Sequence, residues 1–377
     1  MKIFMLSTQN AGVAWWRHQT PAAALRAAGH EVVVFEEEEL AAAAEAYGGI
    51  WGWLCANLDK YDIVHTGYSH SDVLTKILVA NRHKNERRFI VDIDDDLDTV
   101  PSYNLGFKTF GPAQFHRETV RAQLLVADAV STSTTTLRDA LRMSKTKYAL
   151  PNLVHPPDWD YPVDPDAAHD NAVRILLAGG ESRYADWEIL KEPLTTLAAK
   201  YDGREGRPKV RIIFFGWYPD WAAHMLASPN DAVSNCASYI QSTSSIKRFC
   251  QALRWVRPDI YLSPVLKNPF NASKSDLKAM EAGMTGAVLA CTDFTTYADV
   301  PSEVCSKVDN TYTQWYESLA ALVEDPTLRQ RKATACRDWT LSTRDVRQHV
   351  GLWVDAYEAT LAAPPITRLE DILGEQT

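Results

Sequence analysis

Short apolar runs, spaced by roughly a helix and a turn, set the pattern of this chain. Ile3–Leu6, Glu31–Phe35, Asp62–His65, Phe89–Ile93 and Ala129–Thr132 are dense in Val, Ile, Leu and Phe. Runs this short, without polar alternation, predict strands covered on both faces. The segments between them predict helices. Thr20–Ala28 is entered through Pro21 and followed by Gly29, the usual asymmetry of helix ends. Glu36–Tyr47 is rich in Ala and Glu, good helix formers, and Asp72–Asn81 and Gln114–Val126 also read as helices. Strand and helix in alternation predict a parallel sheet with helices on both sides.

Residues 150–171 break the rhythm with five prolines and several aspartates, which suit neither helix nor strand. The alternation then restarts: strands at Val173–Leu177, Val210–Phe215, Tyr239–Gln241, Ile260–Leu262 and Ala287–Ala290, a helix at Asp186–Lys200, and further helices between. In the tail, Val346, Val350, Trp353, Val354, Tyr357 and Leu361 recur at helical spacing, so Arg344–Leu361 reads as one long helix packed back on the body. A chain of 377 residues is long for one core. We therefore expect an N-terminal domain over 1–160, a second over 172–343, and a returning helix and tail over 344–377.

Charge changes this picture little. The net charge is −9, and both halves are acidic on balance, which leaves no global footprint of nucleic-acid binding. One local basic run, Asn81–Arg88, keeps DNA open as a partner. The six cysteines are far apart and form no C-x-x-C pair or zinc spacing, as expected of reduced thiols in a cytoplasmic protein. Lys2–Leu6 is too short for a signal peptide, and no apolar stretch approaches the ~18 residues of a membrane span. No P-loop, G-x-G-x-x-G or Ser-His-Asp order occurs, which disfavours phosphoryl transfer and dinucleotide redox chemistry.

The segment richest in chemistry is Leu262–Thr292, LSPVLKNPFNASKSDLKAMEAGMTGAVLACT. A strand ends at Ser263-Pro264, a polar loop follows, and a helix is predicted from near Ser275 to Gly283. Ser273 with Asp276 has the form of a capping box, and Ser275 is a second N-cap candidate. A helix opening at the C-terminal edge of a parallel sheet suits an anionic diphosphate, through its free N–H groups and dipole. Lys274 adds a full charge there, and Glu281 lies farther along, where a carboxylate can take the hydroxyls of a ribose. Such a strand, capped helix and lysine can equally be plain structure.

This segment resembles the nucleotide-sugar site of retaining glycosyltransferases of family 4. It has Glu281-Ala282-Gly283-Met284-Thr285-Gly286 followed by a strand, and Phe270-Asn271-x-Ser273-Lys274-Ser275-x-x-Lys278 before it. The usual pattern has a second glutamate eight residues before Glu281; here that position is Ser273. Gly12-Val-Ala-Trp15-Trp16-Arg17 with Pro21, Leu25 and Gly29-His30-Glu31-Val32 is similar to the family's opening, whose glycine-containing loop faces donor phosphate and acceptor. Leu150-Pro151-Asn152 resembles the exit from its first domain, and Leu177–Arg183, with Gly180 and Arg183, the opening of its second.

The resemblance implies the B-type fold: two facing Rossmann-like domains, α/β, with a C-terminal crossover helix. It implies sugar transfer, with retention and without a metal, from a nucleotide-diphosphate sugar as co-substrate rather than cofactor. The donor side would use Gly12, Gly180, Asn271, Ser273, Lys274, Ser275 and Glu281, with Lys274 and Arg183 stabilising the leaving diphosphate. His65, nearest to a histidine that family members use to touch the transferred sugar, joins the catalytic candidates, although a buried structural histidine reads as well. Asp92-Ile-Asp94-Asp95-Asp96-Leu-Asp98 offers an acceptor-side role centred on Asp94, a solvated or capping loop, or a metal site. The acceptor stays open among glycan, lipid, small molecule and DNA base. A phage-type DNA base glycosyltransferase and a non-catalytic nucleotide-sugar-binding protein are the alternatives.

Overall fold

The computed structural model describes residues 1–8, 11–35, 42–84, 87–112, 114–143, 145–161, 171–227, 236–241 and 246–364. Two six-stranded, all-parallel sheets dominate it. The first contains β1 (Lys2–Leu6), β2 (Glu31–Phe35), β3 (Ile63–Gly67), β4 (Arg88–Ile93), β5 (Ala129–Thr132) and β6 (Lys147–Ala149), in the order β2-β1-β3-β4-β5-β6. The second contains β7 (Val173–Ala178), β8 (Val210–Gly216), β9 (Ala237–Gln241), β10 (Ile260–Ser263), β11 (Val288–Thr292) and β12 (Cys305–Val308), in the order β12-β11-β10-β7-β8-β9. β6 and β12 were not anticipated. Both are edge strands, and Lys147 and the Ser306-Lys307 pair interrupt the apolar run by which the buried strands are recognised.

Helices cover both faces of each sheet, and apolar clusters lie on both sides. The chief ones are α1 (Thr20–Ala27), α2 (Ile50–Asn57), α3 (Asp72–Lys84), α4 (Phe115–Val126), α5 (Lys191–Lys200), α6 (Ile246–Val256), α7 (Leu277–Thr285), α8 (Tyr312–Glu324), α9 (Pro326–Thr343) and α10 (Gly351–Ala362). Half of the helix expected over Glu36–Tyr47, residues 36–41, lies outside the described residues; the described part is helical and ends in a tight turn, Glu45–Tyr47, closed by Gly48 at φ 73°. The helix expected over Asp186–Lys200 is broken, and α5 restarts at Lys191 with Pro193 in its first turn. Proline has no N–H to continue the ladder from the preceding turn.

The tail departs from one continuous helix. α9 ends at Thr343, a short turn spans Val346–His349 under the Asp345 cap, and α10 follows. Val346, Trp353, Ala356 and Tyr357 are buried against Ile3, Met5, Ile63 and Ile90, so the returning helix completes one face of the first sheet. Beside it Val154 exchanges backbone bonds with the Arg344–Val346 stretch, at 2.8 Å each. The two domains also trade apolar anchors. Trp15 and Trp16 of the first pack into a cluster of the second, and Phe270 of the second packs among Leu6, Tyr68 and Phe110. Among the described residues no helix is long and apolar enough to cross a membrane.

Candidate active site

In each sheet the strand order reverses beside the first strand, between β1 and β3 and between β7 and β10. Loops leaving the C-terminal strand ends there cannot pack over one another, which opens a crevice. The two crevices face each other and enclose a cavity of about 580 Å³. Gly12, Trp16, Arg17, Asp94, Asp95 and Ser133 line it from the first domain. Gly180, Arg183, Lys274, Ser275, Lys278 and Glu281 line it from the second. A second concavity, about 610 Å³, lies at the opposite edge of the second sheet. Two of its three arginines serve helix C-termini: Arg254 donates to the Met284 carbonyl and Arg329 to that of Leu322.

The loop after β10 is built differently from the capping box. Asn268 caps a single turn, Pro269–Ala272, by accepting from the Asn271 N–H at 2.9 Å. α7 then opens at Leu277 with Asp276 in the N-cap position but without a side-chain cap, because the Asp276 carboxylate pairs with Arg344 at 2.7 Å. Neither Ser273 nor Ser275 caps the start of α7; Ser273 instead closes the preceding turn. The Ser273 carbonyl accepts from Thr134, and Ser275 Oγ accepts from Asn152, both at 2.8 Å and both across the domains. α7 ends at Gly286, in the left-handed region at φ 79°, rather than at Gly283. Gly283 has a packing role: a Cβ there would lie 2.1 Å from Thr340 Oγ1 of α9.

The cations of the cavity are each held by a carboxylate. Lys274 Nζ lies 2.7 Å from Asp95 across the cleft and 4.2 Å from the centre of the Phe270 ring. Lys278 Nζ lies 2.8 Å from Glu281 Oε2, which also accepts from the Tyr261 hydroxyl. Arg183 pairs with Asp186 at 3.2 Å, and Asp186 accepts in turn from Asn271 Nδ2 at 3.0 Å. Asn271 therefore braces Arg183 through a carboxylate, on the wall of a side pocket rather than of the main cavity. Ser273 is buried and off the main cavity wall as well.

His65 also lies off that wall. It is fully buried within β3, bonded to Tyr357 at 2.8 Å and Ser131 at 2.9 Å, and so is occupied by the returning helix and the sheet. β3 ends two residues later, and the histidine comes one pleat too early to reach the crevice. Nearby His18 is also buried, and its pKa is lowered to about 3 by burial and by the adjacent His65. The acidic loop after β4 is divided among separate partners. Asp92 is gripped by Arg17, Asp95 by Lys274, Asp96 by Thr99 and the Asp98 N–H, and Asp98 by Arg117 and Arg121. Among the described residues no group of three or more His, Cys, Asp or Glu side chains converges as a metal site would.

Arg17, Asn152 and Asp186 are the scaffold residues that sequence reasoning passed over. Arg17 is 1% exposed and donates to Asp92 through Nε and Nη2, at 2.9 and 2.7 Å. Its Nη1 donates to the Leu150 carbonyl and to Asn152 Oδ1. The Arg17 guanidinium and its two hydrogen bonds hold the Asp92 carboxyl far below the usual range, against the burial that would raise it. Arg17 sits in a π-type turn, Trp15–Gln19, a feature of the fold that its sequence does not announce. The basic run 81–88 leads into the N-terminal end of β4, the sheet edge opposite the cavity, where Arg88 bonds to Ala363.

No protein-family model matches the chain, and no curated protein matches its sequence. Solved structures do. Sucrose-phosphate synthase from Thermosynechococcus elongatus has a TM-score of 0.64 at 12% identity, covering 97% of this chain and 100% of that one. A glycosyltransferase from Rickettsia africae also gives 0.64 at 12% identity, over 96% and 100%. HepE of Anabaena, solved in complex with UDP-glucose, gives 0.64 at 12%, over 94% and 100%. These likenesses establish the fold, two facing Rossmann-like domains with a C-terminal crossover, as the B-type glycosyltransferase architecture.

Proposed function

We propose that the protein transfers a sugar from a nucleotide-diphosphate donor to an acceptor hydroxyl in the inter-domain cavity. The observation that carries this reading is the meeting of Lys274, Ser275, Gly180 and the opening turn of α7 on one wall, at a topological switch point. As the glycosidic bond breaks, charge gathers on the departing diphosphate. Preorganised N–H groups at a helix end and a lysine stabilise that charge more than they stabilise the ground state. No Cβ at Gly180 would meet another atom within 4 Å, so the backbone there is open to a phosphate. Glu281 takes both of its hydrogen bonds on Oε2, which leaves Oε1 for the ribose hydroxyls. Solved relatives in this fold include one bound to UDP-glucose and another to UDP-2-fluoro glucose, which supports a nucleotide sugar here.

In this reading the chain is a divergent member of the family-4 type, acts with retention, needs no metal and works in the cytoplasm. The first domain, residues 1–160, holds the acceptor, and the second, 172–343, the donor. A thermal-shift screen of UDP-, GDP-, ADP- and TDP-sugars in EDTA tests it. A donor at ~100 times its dissociation constant should add ~2.7 kcal/mol of stability. No shift with any of them, or a shift that appears only after a divalent metal is restored, would remove the donor site as drawn.

A further inference from the structure

Of the five aspartates between residues 92 and 98, four are committed: Asp92 to Arg17, Asp95 to Lys274, Asp96 to Thr99 and Asp98 to Arg117 and Arg121. Asp94 is the exception. Its backbone carbonyl accepts from Ser133 Oγ, but among the described residues its carboxylate has no hydrogen-bond or ion-pair partner. It is half-buried and lines the cavity from the first domain, whereas Gly180, Arg183 and Ser275 line it from the second. Neighbouring strands fix its position. β4 is paired through Asp92 and Ile93 with Ser131 and Thr132 of β5, so the loop leaves the sheet from a rigid base.

We propose that Asp94 is the proton acceptor of the transfer, receiving the proton of the acceptor hydroxyl. This rests on the sugar-transfer reading above and goes beyond it by assigning the proton. The O–H proton passes to an Asp94 oxygen, and the hydroxyl oxygen bonds to the anomeric carbon. The bond from that carbon to the diphosphate oxygen breaks, and its electron pair stays on the diphosphate. When entry and departure share one face of the sugar, the leaving diphosphate competes for the same proton, and the experiment separates the two.

A base that acts near neutrality is most effective with a pKa near neutrality. Burial pushes the Asp94 carboxyl up to about 7, with the charges of Asp95 and Asp92 acting in the same direction. Lys274 and Arg17, from the facing loops, pull it down. Tyr68, beyond β3, is a further titratable neighbour, and its own hydroxyl is driven up by burial and by these aspartates, so it stays protonated; Arg183, Lys278 and Glu281 line the same cavity from the second domain. An ordinary exposed aspartate would be ionised at pH 5. Asp94 is not, so turnover should depend on pH where a relayed proton to diphosphate would leave it flat.

The test is nucleotide release from the tightest-binding sugar donor of the screen, measured between pH 5 and 9 for the full chain and for Asp94→Asn and Asp94→Glu. For the native chain, kcat/KM should fall about tenfold per pH unit below about 7, as the base takes up a proton. Asp94→Asn should stay folded by circular dichroism and bind the donor within about twofold, yet lose about 10²–10⁴-fold in kcat together with the acid limb. Asp94→Glu should recover part of the rate and restore an acid limb. A folded Asp94→Asn protein with kcat within threefold of native, or with its acid limb intact, would overturn the assignment and give the proton to the diphosphate. Absence of binding by any donor in the screen would overturn the sugar-transfer reading itself, and this assignment with it.

Discussion

Lys274→Ala should lower kcat by about 10²-fold and weaken donor binding as well, the loss expected on removing one preorganised group that stabilises the charge of a leaving oxyanion. The charge on the diphosphate grows as the bond breaks, so the lysine contributes more to the transition state than to the bound donor. Glu281→Gln should differ in kind. A ribose contact is much the same before and during the reaction, so the substitution should raise donor KM and leave kcat nearly unchanged. The structure adds a third arm. Asp95 holds Lys274 at 2.7 Å, and an arriving diphosphate has to take the ammonium from it. Asp95→Asn should therefore tighten donor binding several-fold, and the gain should vanish in a Lys274→Ala background. Steady-state kinetics and calorimetry with the same donor measure all three. A folded Lys274→Ala protein with native kcat and donor affinity would sink the diphosphate site. Glu281 is 1% exposed and bonded to Tyr261 and Lys278, so unfolding of Glu281→Gln would make its carboxylate a structural partner and withdraw the ribose role.

The central strands were legible because both of their faces are covered, and a parallel sheet buried in that way leaves unbroken apolar runs such as Ile3–Leu6 and Ala287–Ala290. Edge strands have one partner and half-exposed side chains; Glu31–Phe35 and Tyr239–Gln241 still showed through their β-branched and aromatic residues, whereas the short Cys305–Val308 and Lys147–Ala149, interrupted by Ser306-Lys307 and Lys147, left no such mark. The loop and helix after β10 stood out through their spacing, but the details of the cap did not. Asp276 looks like a capping residue until Arg344, 68 positions away, claims its carboxylate. Distance along the chain hides His65 in the same way. A histidine at a strand end faces either the crevice or the sheet, and only Tyr357, 292 residues on, shows which. Asp94 was singled out within its cluster, yet what sets it apart, the pairing of Asp92, Asp95 and Asp98 with groups from other elements, is a property of tertiary contact alone.

Replacing Arg17 by Ala should destabilise the protein by about 3–5 kcal/mol, the range seen when one partner of a buried ion pair is removed. Both side chains of the pair are nearly inaccessible, at 1% and 2% exposure. Without the guanidinium, Asp92 keeps, among the described residues, only the Ser131 hydroxyl, at 2.5 Å, and a more distant His65, at 3.8 Å. The pH dependence should also change sign. In the native chain the folded-state pKa of Asp92 is far below its unfolded value, so the pair stabilises above about pH 4 and that stability is lost as pH falls. In Arg17→Ala, burial is left to dominate and raises the folded pKa above the unfolded one. The variant should then bind its proton more tightly when folded, and lose stability as pH rises from about 4 towards neutrality. Urea unfolding followed by tryptophan fluorescence, at pH 2 to 7, measures both slopes, the native one below about pH 4 and the variant's above it. The double change Arg17→Met with Asp92→Leu should regain much of the loss, because an apolar pair of similar volume leaves no charge buried alone. Parallel slopes in the native and Arg17→Ala chains, or a single variant within 1 kcal/mol of native at pH 7, would mean that water or another cation reaches Asp92, and the pair would lose its place as the brace between the first strand's loop, the acidic loop and Asn152.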